Sequence, residues 1–372
     1  MLELMQVIES TKGWKPLNGD RPSNWDERIK ETIDLVNNKA KYAPHRHEFL
    51  VREAMTTSDF PLLFGDILDR SLLAAYQSAP RVMRQICQPG KRADFGLGNV
   101  FDVQPGAGRM STRTEKGEYH VTNITEGRYQ YRLGSYGEKF LLSWEALLKD
   151  NLGAFNRIPR WFADMAMNTE EFFLTSLLFG ASGPSSAYFA VNNGGAAVSN
   201  LPLTLANLKI ACTAMLKYKN KSGDAPIDNS PVILMVGPGN YVNALDITGT
   251  KTVQSTGTTT ATLPVDNVIA QFNLKVVNNR MIPFVVTSGT VADTCWGLFS
   301  DPSKIASVEF GQLIGHEAPE IFIKNPGMSR LGGGEVSPLE GDWDTGSVGY
   351  LSRYVFGGCT LDGRAGWASN GQ

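Results

Sequence analysis

The sequence predicts an α+β fold in which the lobes are interleaved along the chain, not strung in series. Three observations predict it. Between Pro159 and Gly180 an apolar stripe at helical spacing, Phe162, Ala166, Thr169, Phe173 and Leu177, reads as one long helix. From Leu203 onward, helix-like "TLANLKIACTAMLKYK" alternates with strand-like "PVILMV" and "LKVVNNRMIPFVV", the pattern of an α/β lobe. The last third, with "CWGLFS", "EIFIKN" and "VGYLSRYVFGGCTLD", returns to strands that rejoin the lobe of the long helix.

The elements follow in order. Residues 1–55 form a polar leader with a short amphipathic helix, capped by Asn24 and carrying Trp25, Ile29, Ile33 and Val36 on one face. In residues 56–87 a second helix follows Asp59, with Pro61 in its first turn and Phe60, Phe64, Ile67, Leu68 and Leu72 inward, until Pro80 stops it. Residues 88–140 read as a long two-stranded arm: a polar, glycine-bearing stretch "QPGAGRMSTRTEKG" precedes "GRYQYRL", where Tyr129, Tyr131 and Leu133 alternate against Arg128, Gln130 and Arg132. A lone ribbon of this kind is marginal in water, so the arm is expected to lie on something else.

Residues 141–202 hold a short helix capped by Ser143 and the long helix, a rod of about 30 Å at 1.5 Å per residue. Residues 203–283 make the α/β lobe, with the Thr/Gly run "TGTKTVQSTGTTTATLP" expected as an exposed, mobile loop. Residues 284–372 supply the returning strands.

The chain has 372 residues, 42% of them hydrophobic, enough to bury a sizeable core in two or three lobes. Its 35 basic and 37 acidic residues nearly cancel, which removes the global basic field of a tight DNA binder. Cys87, Cys212, Cys295 and Cys359 are dispersed, arguing against a zinc site or a disulfide framework and fitting a reducing cytosol. No apolar run reaches the length of a membrane span.

The chemical motifs are weak. Gly237-Pro238-Gly239 after "PVILMV" imitates the start of a dinucleotide turn, but Val242 stands where the third glycine belongs. No lysine-bearing phosphate loop occurs, so the turn reads as a βα connection in which Leu234 packs and Asn240 caps a helix. His45 and His47 lack a third zinc ligand, and His120 and His316 are isolated. Asp344-Thr345-Gly346 is a single aspartate turn where protease chemistry needs two carboxylates. Glu170-Glu171, adjacent on the long helix and therefore divergent, read as solvated or inter-subunit charge. No catalytic, metal or cofactor residue emerges.

The order helix, hairpin arm, spine helix, α/β lobe and returning strands resembles tailed-phage major capsid proteins of the Hong Kong 97-type fold. "TTSDFPLLFGDILDRSLLAAYQSAP", "YGEKFLLSWEALLKDNLGAFNRIP" and the ending "SVGYLSRYVFGGCTLDGRAGW" resemble the Mu-like head-subunit branch. The resemblance implies a non-enzymatic subunit that assembles with itself, as hexamers and pentamers, into an icosahedral shell around double-stranded DNA contacted without sequence specificity. It implies residues 88–140 as the extended loop, Pro159 to Phe179 as the spine, residues 141–202 as the peripheral domain and 203–283 as the axial domain. The short leader before Thr56 points to a separate scaffold or an uncleaved leader, and the resemblance adds a portal and a decoration protein as partners. Assembly is expected in the host bacterial cytoplasm. Inter-subunit contacts are expected from Trp25, Arg109, Arg113, Lys116, Tyr129, Tyr131, Glu170 and Glu171, with the tip Gln104 to Gly117 ordered only in the shell. The alternatives are an encapsulin-like cargo compartment and a soluble nucleotide-binding enzyme.

Overall fold

The computed structural model describes residues 60–105, 108–110, 112–113, 115–119, 121, 124–143, 158–256, 262–329, 331, 336 and 341–372. Along the chain run helix α1 (Phe60–Ser78), a 3-10 turn (Met83–Ile86), and strands β1 (Cys87–Arg92), β2 (Gly98–Pro105), β3 (Ile124–Tyr131) and β4 (Gly134–Ser143). The long helix α2 (Ile158–Leu178) leads into a short ladder of β5 (Phe179–Gly180) with β6 (Gly183–Pro184). Next come α3 (Leu205–Leu216), β7 (Pro231–Val236), α4 (Tyr241–Gly249), β8 (Thr252–Thr256), β9 (Thr262–Asp266), α5 (Val268–Gln271) and β10 (Lys275–Asn278). The chain closes through α6 (Ile282–Val285), α7 (Gly289–Thr294), β11 (Trp296–Ser300), β12 (Val308–Leu313), β13 (Glu320–Ile323), β14 (Ser347–Thr360) and β15 (Gly366–Ser369).

The described residues fall into two compact units, each drawn from three stretches of chain. The first takes the described parts of Met1–Pro80, Ser135–Met167 and Gly315–Val355. Its helix α1 buries Leu68, Leu72 and Tyr76, spaced one helical turn apart, and lies against β13. The hydroxyls of Tyr76 and Tyr354 are 2.6 Å apart and their rings meet edge to face at 5.6 Å, so the two polar tips satisfy each other inside the core. Strand β13 pairs antiparallel with β14 from Glu320↔Arg353 to Ile323↔Tyr350.

The second unit takes Arg81–Gly134, Asn168–Ile314 and Phe356–Gln372. A four-stranded mixed sheet runs β10-β7-β11-β15. Register places Leu298 opposite both Leu234 and Trp367, and all three are buried. On this row pack Leu208, Ala211, Cys212 and Met215 of α3, Ala244 of α4 and Ile269 of α5, with Trp296 and Trp367 in ring contact at 4.9 Å. Each fully buried leucine here contributes about 2 kcal/mol of transfer free energy. Thr204 caps α3 by accepting from the Asn207 N–H at 3.3 Å. In the same unit β1 runs parallel to β12, which pairs antiparallel with Phe356–Thr360 at the end of β14.

Four sequence readings change locally. The Thr/Gly run is not all loop, because β8 and β9 pair as a hairpin from Thr252↔Asp266 to Thr256↔Thr262, where β-branched threonines suit an extended backbone. "IPFVV" is not strand; β10 ends at Asn278 and a short helix follows from Ile282, with Pro283 in its first turn supplying a helical φ. Asn240 makes no cap; its amide donates to the Thr294 carbonyl at 2.8 Å. In α2 the stripe begins as read, with Phe162 and Ala166 buried, but its centre shifts to Glu170, Leu174 and Leu178 further along. The Asn24 and Ser143 helices, Trp25, His45, His47 and His120 lie outside the described residues.

Candidate assembly interface

The arm is the ribbon of β2 with β3, antiparallel from Gly98↔Tyr131 to Pro105↔Ile124. Within the 88–140 stretch, β1 instead joins β12 and β4 joins β14. The alternation in "GRYQYRL" sorts the ribbon's faces: Tyr131 and Leu133 are buried and Tyr129 half-buried, while Arg128, Gln130 and Arg132 face outward. On the partner strand Phe101 is 62% exposed, an apolar group left uncovered at the middle of the ribbon.

The root of the arm is pinned by Tyr131. Its hydroxyl donates to Glu309 Oε1 at 2.9 Å, and the Arg92 guanidinium lies over its ring at 4.6 Å while reaching the same carboxylate at 3.5 Å. Burial pushes the Tyr131 phenol up to about 12, so it remains a donor at neutral pH. Gly90 and Gly311, paired across β1 and β12, make the space: a Cβ at Gly311 would lie 2.2 Å from the Tyr131 hydroxyl, and one at Gly90 would lie 2.4 Å from Glu309 Oε1. Sequence reading singled out Tyr131 but none of Arg92, Glu309, Gly90 or Gly311; only the glycine pair's position on facing strands reveals their role.

Tyr129, two residues back on the same face, borders an open cavity of about 450 Å³ with Ser186, Asn192, Asn193 and Thr360. Burial first, then the Asp362 charge, pushes its phenol up to about 12.

At the tip, Arg109, Arg113 and Lys116 are exposed. Arg113 donates to the Gly117 carbonyl at 2.6 Å and stacks over the Tyr119 ring at 4.6 Å, which orders a turn where Lys116 adopts φ 62°. Tyr119 and Val121 are 79% and 93% exposed, so the tip presents apolar and cationic groups together.

Glu170 and Glu171 are not solvated, which corrects the sequence reading. They are 1% and 6% exposed. Glu170 takes a two-pronged contact from Arg84, 2.5 Å from Nε and 3.0 Å from Nη2, and Arg84 also covers the Phe310 ring at 4.4 Å. Glu171 accepts from the Met83 backbone N–H. The two carboxylates diverge on α2 as helical geometry requires, but the 3-10 turn at Met83–Ile86 lies across the helix and receives both.

The glycine turn is closely packed by its neighbours. A Cβ on Gly239 would sit 2.9 Å from the Asp293 Cβ and 3.0 Å from its carbonyl oxygen, so α7 occupies the space beside the turn. His316 bonds Glu320 at 2.5 Å, and Glu320 also receives Arg353 at 2.9 Å, a surface ion cluster. Among the described residues no group of three His, Cys, Asp or Glu is placed to hold a metal, and no helix is long and apolar enough to cross a membrane.

A family model described as phage capsid protein matches residues 128–369. No curated protein sequence matches the chain. Among solved structures, the asymmetric unit of the bacteriophage PhiM1 mature capsid matches at TM-score 0.50 and 9% identity, over 78% of this chain and 87% of that one. At that identity the likeness establishes fold alone. A Microbacterium phage Oxtober96 structure matches at TM-score 0.45 and 10% identity, covering 78% and 86%. The SrpI encapsulin complex of Synechococcus elongatus matches at TM-score 0.47 and 9% identity, covering 78% and 87%.

Proposed function

Because the chain belongs to the phage capsid protein family, we propose that it is the head subunit that closes, as hexamers and pentamers, around double-stranded DNA. The chain is a major capsid protein with the Hong Kong 97-type fold, it assembles with itself, and its place is the shell of the virion. The observation that carries this reading is the family match across residues 128–369, which takes in the end of β3, the spine helix α2, the α/β lobe and the returning strands.

The finer reading rests on the distribution of side chains. Cationic and apolar groups stand together on the arm's outer face and tip, at Phe101, Arg109, Arg113, Lys116, Tyr119 and Arg128, the composition that a neighbouring copy would cover. With 35 basic against 37 acidic residues, contact with packaged DNA is weak and indifferent to base sequence, which lets the duplex slide during filling. A separate scaffold directs closure, a portal occupies one vertex and a decoration protein adds to the outside. Assembly takes place in the host bacterial cytoplasm, where the dispersed cysteines stay reduced.

Negative-stain and cryo-electron microscopy of the expressed chain, alone and with neighbouring gene products, tests the proposal. Closed shells with hexamers and pentamers are the expected result. A chain that remains monomeric under every assembly condition overturns it.

A further inference from the structure

The loop between α3 and β7 holds the arm. Lys221 Nζ lies 2.6 Å from Asp102 Oδ2 on β2, and the Gly108 N–H at the tip donates to the Asp224 carboxylate at 3.2 and 3.0 Å. The loop is built to present these groups. Lys219 bridges Pro226, the Asn220 N–H donates to the Ala225 carbonyl at 2.9 Å, and Gly223 turns the chain at φ 76°. Inside the turn the Asn220 amide donates to Asp224 Oδ1 at 2.8 Å and the Ser222 hydroxyl bonds the same oxygen, so the carboxylate is oriented by its own loop. These bonds and the one from Gly108 hold the Asp224 carboxyl far below the usual carboxylate range. The approach is close: a Cβ on Gly108 would fall 2.3 Å from the Ala225 Cβ.

Every one of these contacts is polar and solvent-accessible, and none covers the apolar groups that the arm displays. Phe101, Tyr119 and Val121 remain exposed while the clasp is closed. A permanent anchor would bury apolar surface, as the Tyr131 root does. One exposed ion pair and one backbone N–H to a carboxylate, each worth little, instead give a hold that can be exchanged.

We propose that residues 219–226 form a latch that holds the arm against its own lobe in the free subunit and releases it when the arm is laid over a second copy. The proposal rests on the capsid reading for the identity of the second copy, but the latch itself belongs to the single chain. It makes the closed arm a brake on assembly: each incoming subunit exchanges contacts with its own loop for contacts with its neighbour. Within the single chain the tip is tethered at Gly108.

Trypsin reports the state of the arm directly, because Arg109 and Arg113 are exposed beside the clasp. We expect Lys221→Asp, which places like charges at the clasp, to speed cleavage at these arginines in the isolated full-length subunit by about two- to five-fold, the size of an exposed ion pair. It should raise the initial rate of shell formation, followed by light scattering, in the same direction. The reciprocal pair Asp102→Lys with Lys221→Asp should return both rates towards the unmodified protein, and Gly108→Ala should open the clasp without any change of charge. Thermal melts identify any variant that loses its fold, and the reciprocal pair then carries the test. Unchanged cleavage in both Lys221→Asp and Gly108→Ala overturns the latch, as does a reciprocal pair that stays as open as the single variant. Faster cleavage with slower shell formation overturns the brake. If the unmodified protein forms no shells, the capsid reading fails while the cleavage comparison still decides whether the latch exists.

Discussion

The Glu171 carboxylate straddles the backbone N–H of Met83, with its two oxygens 3.2 and 3.1 Å from that nitrogen. A carboxyl group only 6% exposed therefore sits at the start of the 3-10 turn that feeds β1, beside the Glu170–Arg84 pair. Burial is the main cause that pushes its pKa from 4.5 to about 7, with the Glu170 charge adding in the same direction and the Met83 bond opposing.

This fixes a pH dependence. The folded state holds the Glu171 proton up to about pH 7, whereas the unfolded chain releases it near 4.5. Native protein thus binds more protons between those values, and the contribution of Glu171 to stability falls as pH rises through the window. The change is on the order of 3 kcal/mol. Glu171→Gln, which retains a carbonyl oxygen for Met83, should be more stable than the unmodified subunit at pH 8 by much of that amount and nearly equal at pH 4. Urea unfolding of the isolated subunit at both pH values checks it; an advantage that is the same at both would refute the assignment.

At the arm root, Gly311→Ala should destabilise more than Tyr131→Phe. Phenylalanine removes the bond to Glu309, a loss of about 1 to 3 kcal/mol because the acceptor is charged and buried. Alanine at position 311 places a methyl 2.2 Å from the hydroxyl and drives the whole ring out of its slot. Combining Gly311→Ala with Tyr131→Ala should restore part of the loss, measured as chemical-denaturation midpoints, since the smaller side chain vacates the contested space.

In the α/β lobe, Leu234→Ala should cost about 2 to 5 kcal/mol and lower the yield of soluble subunit, because Leu234 is fully buried on the row with Leu298 and Trp367. Asn240→Ala removes only the bond to the Thr294 carbonyl, about 1 kcal/mol, and should leave shells intact. Gly239→Val should unfold the lobe through collision with Asp293. Saturable nucleotide binding by the unmodified subunit in calorimetry would reverse this view of the turn.

Deleting residues 104–117 should yield a folded subunit that assembles poorly, since among the described residues of that stretch no apolar side chain is buried in a core. Circular dichroism and light scattering separate the two effects. Normal shells from the deletion variant would remove the arm tip from assembly.

For DNA, filter binding with two unrelated duplexes at rising salt should give equal, weak retention that vanishes at moderate ionic strength. Tight, salt-resistant retention of one sequence would contradict the charge balance.

Local pattern alone determined several elements. The period-two alternation of Tyr129, Tyr131 and Leu133 against Arg128, Gln130 and Arg132 gives the faces of β3, and the folded chain keeps them. Phe60 and Pro80 bracket α1, Pro159 opens α2, and the unbroken apolar run of "PVILMV" is a buried central strand, because proline chemistry and side-chain periodicity act over a few residues. Tertiary structure decided what those faces meet. Nothing near Tyr131 in sequence announces Glu309, 178 residues away, or the paired glycines that admit its ring. Glu170 and Glu171 look like surface charge on a helical wheel; a turn 86 to 88 residues earlier in the chain folds across them and supplies a guanidinium and a backbone N–H. The clasp of Lys221 and Asp224 on the arm is equally invisible locally, its partners lying 119 and 116 residues away. Helices and strands are fixed by short-range geometry, but a buried charge or a close approach is tolerated only where distant segments arrive with the matching group, and that arrival is a property of the closed fold.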